Sequence, residues 1–309
     1  MTPETPPQLA FIVATKDRPD EIRTLMKSLV SQSRRPDELI IADGSDVPLD
    51  EASLRTDSFP VKYLRLRPPS ASRQRNAGLD SVNPGINLIG FLDDDVVLEP
   101  DAVENMMEFW RKCPEDVGGV SFNLLNHPPL YAADLKSLPL AERLGLYSRE
   151  RGRVLPSGFQ TMIGHVDETV FVRWLPTTAS IWRKDVFSTF SFDGWYQGYS
   201  YLEDLDFSYR VGKSYRMAVL AGAGYRHYPA PGGRGSGYQF GAREVLHRLH
   251  FVAKHSELSG MKCLLGLGVR FLMNLIMSVR ERNLYYFQRA LGNMAGLARS
   301  LCQTQRGIS

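Results

Sequence analysis

Asn87-Leu88-Ile89-Gly90-Phe91-Leu92-Asp93-Asp94-Asp95-Val96-Val97-Leu98-Glu99-Pro100 is an apolar run that ends abruptly in three carboxylates. A Pro84-Gly85 turn signal precedes it, so the apolar residues read as a buried strand. A buried strand does not hold three ionised Asp side chains without partners, which places Asp93 to Asp95 at its carboxyl end. In open α/β sheets that edge is where ligands bind. Carboxylates there can hold a hard divalent cation through oxygen and leave its other positions to substrate phosphates. The plain structural alternative is a solvated acidic turn ahead of a helix that starts near Pro100.

The preceding chain repeats the pattern. Leu9 to Thr15 is a second apolar run, and the polar turn Lys16 to Asp20 leads into a helix read from Ile22, Leu25, Met26 and Leu29. Glu38 to Ala42 is a strand ending in Asp43-Gly44-Ser45, Val61 to Leu66 is a third, and a helix follows from Ala71 to Leu79. Strands alternating with helices predict an α/β fold with a mainly parallel sheet flanked by helices. No Gly-x-Gly-x-x-Gly and no Walker loop follows strand one, so the dinucleotide and P-loop classes are excluded. Thr15, Asp17, Asp43, Arg75, Asn76 and the Asp93 to Asp95 cluster should gather along one edge. A strand-end carboxylate can accept the N3 proton of a uracil or thymine ring, and an Arg can meet phosphate charge.

From Asn123 to Val166 the pattern loosens into a Pro-containing segment with the basic run Arg149 to Arg153. It reads equally well as an acceptor-side excursion or as a surface insertion. His127 and His165 lie in it without ligand spacing. Strands resume at Thr169 to Val172 and Thr178 to Trp182, then a short helix at Lys184 to Phe190 and the Gly- and aromatic-rich loop Phe192 to Tyr199. Glu203-Asp204 opens a further helix. The helix dipole stabilises carboxylates in that position, and one of the two is a candidate general base. Met217 to Leu220 is a strand, and the lone His227 just beyond it reads, by itself, as a structural histidine. The loop Gly232 to Gly237 reads as a phosphate cradle or a linker.

The 309 residues are 43% hydrophobic and 23% charged, enough for a substantial core. The formal net charge is +3, unevenly placed: Phe240 to Ser309 carries ten Lys or Arg against three Asp or Glu. Three predicted helices, at 238–254, 260–279 and 283–301, mix these cations with Leu, Val, Phe and Met, which suits an anionic membrane surface. Arg270 and Asn274 interrupt the best membrane-span candidate, so a peripheral place on the inner face of the plasma membrane is expected. No nucleic-acid-binding motif is present, so nucleic acid is not an expected partner. Cys113, Cys263 and Cys302 form no disulfide framework, and the N-terminus shows no export signal, so a reducing, cytoplasmic compartment is expected.

Taken in order, Phe11 to Thr15 with Asp17-Arg18-Pro19, Ile40 to Ser45, Ser72-Arg73-Gln74-Arg75-Asn76-Ala77-Gly78, Ile89 to Asp95 and Phe192-Asp193 with Glu203-Asp204-Leu205-Asp206 resemble family 2 glycosyltransferases of the GT-A, Rossmann-like fold. The resemblance covers Leu9 to Pro229. It implies an inverting enzyme that uses a nucleotide-diphospho-sugar and Mg²⁺ or Mn²⁺. Asp95 would be the principal metal ligand, with Asp93 or Asp94 touching the metal or the donor ribose and His227 as third ligand. Many members carry two acidic residues where this chain has Ala42-Asp43, so base recognition falls to Asp43 alone. Asp204 would be the base and Glu203 an orienting group, and the two roles can be exchanged. The expected organisation is a catalytic domain over 1–237, with 123–166 as an acceptor-side or plain surface insertion within it, and a C-terminal helical extension over 238–309. The expected reaction is transfer from a UDP- or dTDP-sugar, with rhamnose as the sugar, to a glycan or lipid-linked acceptor in cell-surface polysaccharide synthesis. A metal-dependent nucleotidyltransferase or phosphohydrolase is the alternative, disfavoured because Glu203-Asp204 lies so far along the chain from Asp93 to Asp95.

Overall fold

The computed structural model describes residues 6–126, 139–198, 200–229 and 235–306; His127, Tyr199 and Gly232 to Arg234 lie outside the described residues. In chain order the elements are β1 (Leu9–Thr15), α1 (Pro19–Val30), β2 (Glu38–Asp43), β3 (Val61–Arg65), α2 (Ala71–Asp80), β4 (Leu88–Leu92), β5 (Val96–Leu98), α3 (Ala102–Lys112), β6 (Val117–Leu124) and α4 (Pro139–Arg143). They continue with β7 (Val170–Val172), β8 (Ala179–Arg183), α5 (Glu203–Val211), β9 (Arg216–His227), α6 (Gly237–Lys254), α7 (Gly260–Arg280) and α8 (Leu284–Arg306). Two compact units result: Met1–Tyr131 with Ile163–Ala230, and Ala132–Met162 with Pro231–Ser309.

The first unit is a sheet in the order β3-β2-β1-β4-β8-β6-β9-β5, with β7 paired to β9. Pairs β3-β2, β2-β1 and β1-β4 are parallel. Apolar on both faces, β1 and β2 are covered on both sides, as parallel strands require. Thr15 pairs in register with Asp43, and Val13 with Leu92, so the three strands end together and present their terminal polar residues along one edge. Antiparallel pairing enters where β8 meets β4 and β6, and where β5 and β7 meet β9.

Two departures from the sequence reading position the site. Strand β5 is three residues long, too short to show a period, and follows the acidic turn directly. Strand β9 runs to His227 instead of stopping at Leu220, because its register against β6 shifts between Phe122 and Asn123 and the small residues Ala221 to Gly224 take up the irregularity. Helix α2 lies hard against β1, where a Cβ on Gly78 would sit 2.4 Å from Ile12. A cluster of Phe91, Trp182, Phe187, Phe192 and Phe207 anchors α5: Phe192 stacks on Phe207 at 4.4 Å between centroids and meets Phe91 edge-on at 5.1 Å. Glu203 lies one helical turn before Phe207 and is placed by that anchor.

The second unit holds α4, the segment up to Met162 and helices α6 to α8. Arg248 of α6 donates to Gly158 O and to Gln160 Oε1 at 2.9 Å, and lies over the Phe159 ring. Helices α6 and α8 touch backbone to backbone: a Cβ on Gly241 would lie 2.1 Å from Arg289 O, and one on Gly292 the same distance from Tyr238 O.

Candidate active site

The three Asp residues after β4 do different things. Asp94 turns inward, 4% exposed, with Oδ2 accepting from the Thr15 hydroxyl at 2.7 Å and Oδ1 from Arg18 Nη1 at 2.7 Å. Burial outweighs these donors and pushes its carboxyl up to about 6. Asp93 and Asp95 have ligand atoms close to His227. Because β5 pairs antiparallel with β9, Val96 is opposite His227, and His227 Nε2 comes to 2.9 Å from Asp95 Oδ1. Asn126 holds the His227 backbone on both sides, accepting from its N–H at 2.9 Å and donating to its carbonyl at 2.8 Å. Tyr228 N–H donates to Asp95 O at 2.9 Å.

One ligand atom from each of Asp93, Asp95 and His227 lies within 4.8 Å of the others, close enough for a single metal ion. Two carboxylate oxygens and an imidazole nitrogen are a donor set that Mn²⁺ accepts, and Mg²⁺ with waters. The residues therefore fit the cation that the sequence resemblance implies. Asp94 is not part of this group.

Arg75 joins this cluster to the start of α5. Gln74 donates to Thr15 O at 2.9 Å and Ala42 O at 2.7 Å, which ties α2 to the ends of β1 and β2. The next residue, buried Arg75, donates to Asp93 Oδ1 at 3.1 Å and to Glu203 Oε1 at 2.7 Å. Leu202, immediately before the helix, is held in the left-handed region at φ 72°, a strain of about 1–2 kcal/mol for a branched residue. Glu203, held by Arg75, follows that turn, and Asp204 beside it lies within electrostatic range of Arg75 and Asp93. Burial pushes Glu203 up to about 7 despite Arg75, with the neighbouring Asp204 charge adding to the rise. Burial also raises Asp204, which is less covered than Glu203 and accepts from Leu205 N–H at 2.7 Å.

The remaining predicted donor residues are engaged within the protein. Asp43 is fully buried and accepts at Oδ1 from Ser45 N–H and the Ser45 hydroxyl. Its Oδ2 accepts from Leu49 N–H at 3.2 Å, Tyr63 Oη at 2.7 Å and Arg65 Nη1 at 3.0 Å. Burial alone would raise its pKa, but these donors outweigh it and hold the carboxyl below the ordinary value. Contact with a base through Asp43 requires one of those donors to give way. Asn76 clamps the Phe192 backbone, donating to its carbonyl at 2.8 Å and accepting from its N–H at 3.0 Å. Asp17 sits at φ 55° and accepts from Lys16 and from Asp46 N–H, which together lower its pKa.

Arg18 is the functional position that sequence reasoning left without a role. Besides Asp94, its Nη1 reaches Asp95 Oδ2 at 3.3 Å. Its place between β1 and the first turn of α1 was legible; its ion pairs across more than 70 residues of chain were not.

The profile of Glycosyl transferase family 2 matches residues 10–165, half of the chain. The chain belongs to this family. No curated protein matches it. Among solved structures it is similar to S. aureus TarS, at 16% identity, covering 92% of this chain and 55% of that one with a TM-score of 0.51. It is also similar to S. aureus TarS 1–349 in complex with UDP, at 15% identity, 90% and 74% coverage and a TM-score of 0.52. The chain thus spans little more than half the length of the first of these. At such identities the likeness is one of fold, and that fold is the GT-A architecture.

Proposed function

We propose that this chain transfers one sugar, with inversion, from a UDP- or dTDP-sugar to a hydroxyl of a glycan or lipid-linked saccharide in cell-surface polysaccharide synthesis, with rhamnose as the preferred sugar. The Arg75 bridge carries the reading: one buried guanidinium fixes Glu203, beside Asp204, in the same frame as Asp93 of the ligand cluster. A glycosyl transfer needs a proton acceptor and a site for the leaving diphosphate in a fixed relation, and this frame supplies both. The UDP bound to the similar TarS structure supports the donor class.

Asp204, the less covered of the pair, takes the proton from the acceptor hydroxyl, while Glu203, locked to Arg75, orients it. A single displacement on the face opposite the leaving group inverts the anomeric centre. Asp93, Asp95 and His227 would hold Mg²⁺ or Mn²⁺, which when bound stabilises negative charge on the diphosphate as a Lewis acid.

Thermal shift with a panel of nucleotide-sugars and Mn²⁺ tests the donor, since a ligand that binds only the native state raises its stability. UDP- or dTDP-sugars should stabilise the protein and GDP- or ADP-sugars should not. NMR coupling constants of the product test the stereochemistry, and a retained anomeric configuration overturns the single displacement.

A further inference from the structure

Helices α7 and α8 carry their polarity inside out. Their packed sides hold the polar groups: Asn274 of α7 donates to Asn293 of α8 at 2.9 Å, and Arg289 pairs with the buried Glu244 of α6 at 2.7 Å, where Arg270 also arrives at 3.4 Å. Glycine contacts between α6 and α8 fix which side of α8 faces inward. The outward side of α7 is then Leu264, Leu265, Val269, Leu272, Met273 and Ile276, ending in Val279 at 79% exposure. Outward on α8, in the same way, are Leu284, Phe287, Leu291, Met294, Leu297 and Leu301. An apolar surface of this extent on a soluble monomer marks a contact site, and polar groups turned toward neighbouring helices are how helices pack where the surroundings are lipid.

Charge selects the occupant. Between Gly260 and Arg306 the chain has seven Lys or Arg and one acid, Glu281. With Arg270 and Arg289 turned toward Glu244, Lys262 stands at the start of the α7 face, exposed Arg280 and Arg282 at its end, and exposed Arg299 on α8. Helix α7 is long and apolar enough to cross a membrane, with 22% of its most apolar window buried, yet its packed side is tied to the other helices through Arg270 and Asn274. A helix apolar on one side, tied down on the other and flanked by cations lies along a bilayer instead of crossing it.

We propose that the outer face of α7 and α8 is a docking surface for an anionic bilayer, with the apolar residues in the acyl boundary and Lys262, Arg280, Arg282 and Arg299 at the phosphates. The proposal is independent of the sugar-transfer chemistry, because none of these residues belongs to the carboxylate edge.

Sedimentation of the full chain with phosphatidylglycerol or phosphatidylcholine vesicles, without substrate, tests it. The protein should sediment with phosphatidylglycerol, and more weakly with phosphatidylcholine. Leu272→Glu with Ile276→Glu should lower vesicle affinity by about tenfold or more, since two apolar side chains no longer enter the boundary. Arg280→Gln with Arg282→Gln should lower it by about fivefold per charge on anionic vesicles and leave the phosphatidylcholine signal unchanged. All four positions are exposed, and an unchanged circular dichroism melt verifies folding. Equal binding by wild type and both variants, or no binding to phosphatidylglycerol, overturns the proposal. So does a concentration-dependent dimer that the Glu variant abolishes while neither protein binds vesicles, since a second copy of the chain would then cover the face.

Discussion

Two sets of carboxylates sit at the same sheet edge, and their surroundings divide them. Asp43 and Asp94 are buried, and both oxygens of each are taken by donors from the protein itself. Asp93, Asp95 and His227 bring ligand atoms within 4.8 Å of one another, and Arg75 joins Asp93 to Glu203, beside Asp204. Buried acceptors saturated by internal donors hold loops in shape, whereas acceptors grouped with like charges create a field that a cation or a proton relieves. The same residue type at the same end of neighbouring strands therefore serves either the scaffold or the chemistry.

Substitutions on the two sides should separate activity from stability. The largest effect is expected at Asp95: Asp95→Asn should cut turnover by about 10³-fold or more and abolish Mn²⁺-dependent donor binding, with a melting temperature close to wild type. Calorimetric titration of Mn²⁺ with the nucleotide checks this, and metal binding at wild-type affinity would remove Asp95 from the ligand set.

Next comes Asp204→Asn, expected to lower kcat by about 10²-fold while donor affinity stays near wild type, because the amide keeps the shape but takes no proton. In the wild-type enzyme, kcat/KM should rise with pH at values above the ordinary carboxylate range, since Asp204 must be deprotonated to act and burial raises its pKa. Stability should move the opposite way. A carboxyl whose folded pKa is raised holds its proton more tightly folded than unfolded, so deprotonation between about 4.5 and about 7 costs stability, and Glu203→Gln should flatten that decline in thermal melts.

The smallest change in rate is expected at Asp43, where the change in stability is greatest. Asp43→Asn leaves Tyr63, Arg65 and Ser45 with one acceptor too few and should destabilise the fold by about 1–3 kcal/mol in urea denaturation. A variant that melts like wild type but loses discrimination for uracil or thymine would move Asp43 from the scaffold to the donor side.

Much of the parallel half of the sheet was legible in the residues. Apolar runs such as Leu9 to Thr15 and Glu38 to Ala42 are long enough to declare a buried strand, and their abrupt polar endings give the edge without any partner. Strand β5 and the last part of β9 were not legible. Three residues carry no period, and Ala221 to Gly224 is strand only because β6 shifts register beside it. Arg75 was readable as a cation near the edge but not as the bridge between Asp93 and Glu203, because its second partner lies 128 residues away.

By itself the sequence determined which chemistry stands at which strand end, since local hydrophobic pattern and turn composition are enough to place a carboxylate where the strand leaves the core. Tertiary structure alone decided what each carboxylate meets. Register between β5 and β9 brings His227 to Asp95 across 132 residues, and Arg18 reaches both Asp94 and Asp95 while of the two only Asp95 joins the ligand cluster. The same division holds in the second unit: composition announced basic, apolar helices, and only glycine-tight packing of α6 on α8 decided which sides turn inward and which apolar face is left outside. Hydrogen bonds and ion pairs act over a few ångströms in space, and chain order does not encode which distant segments come within that reach.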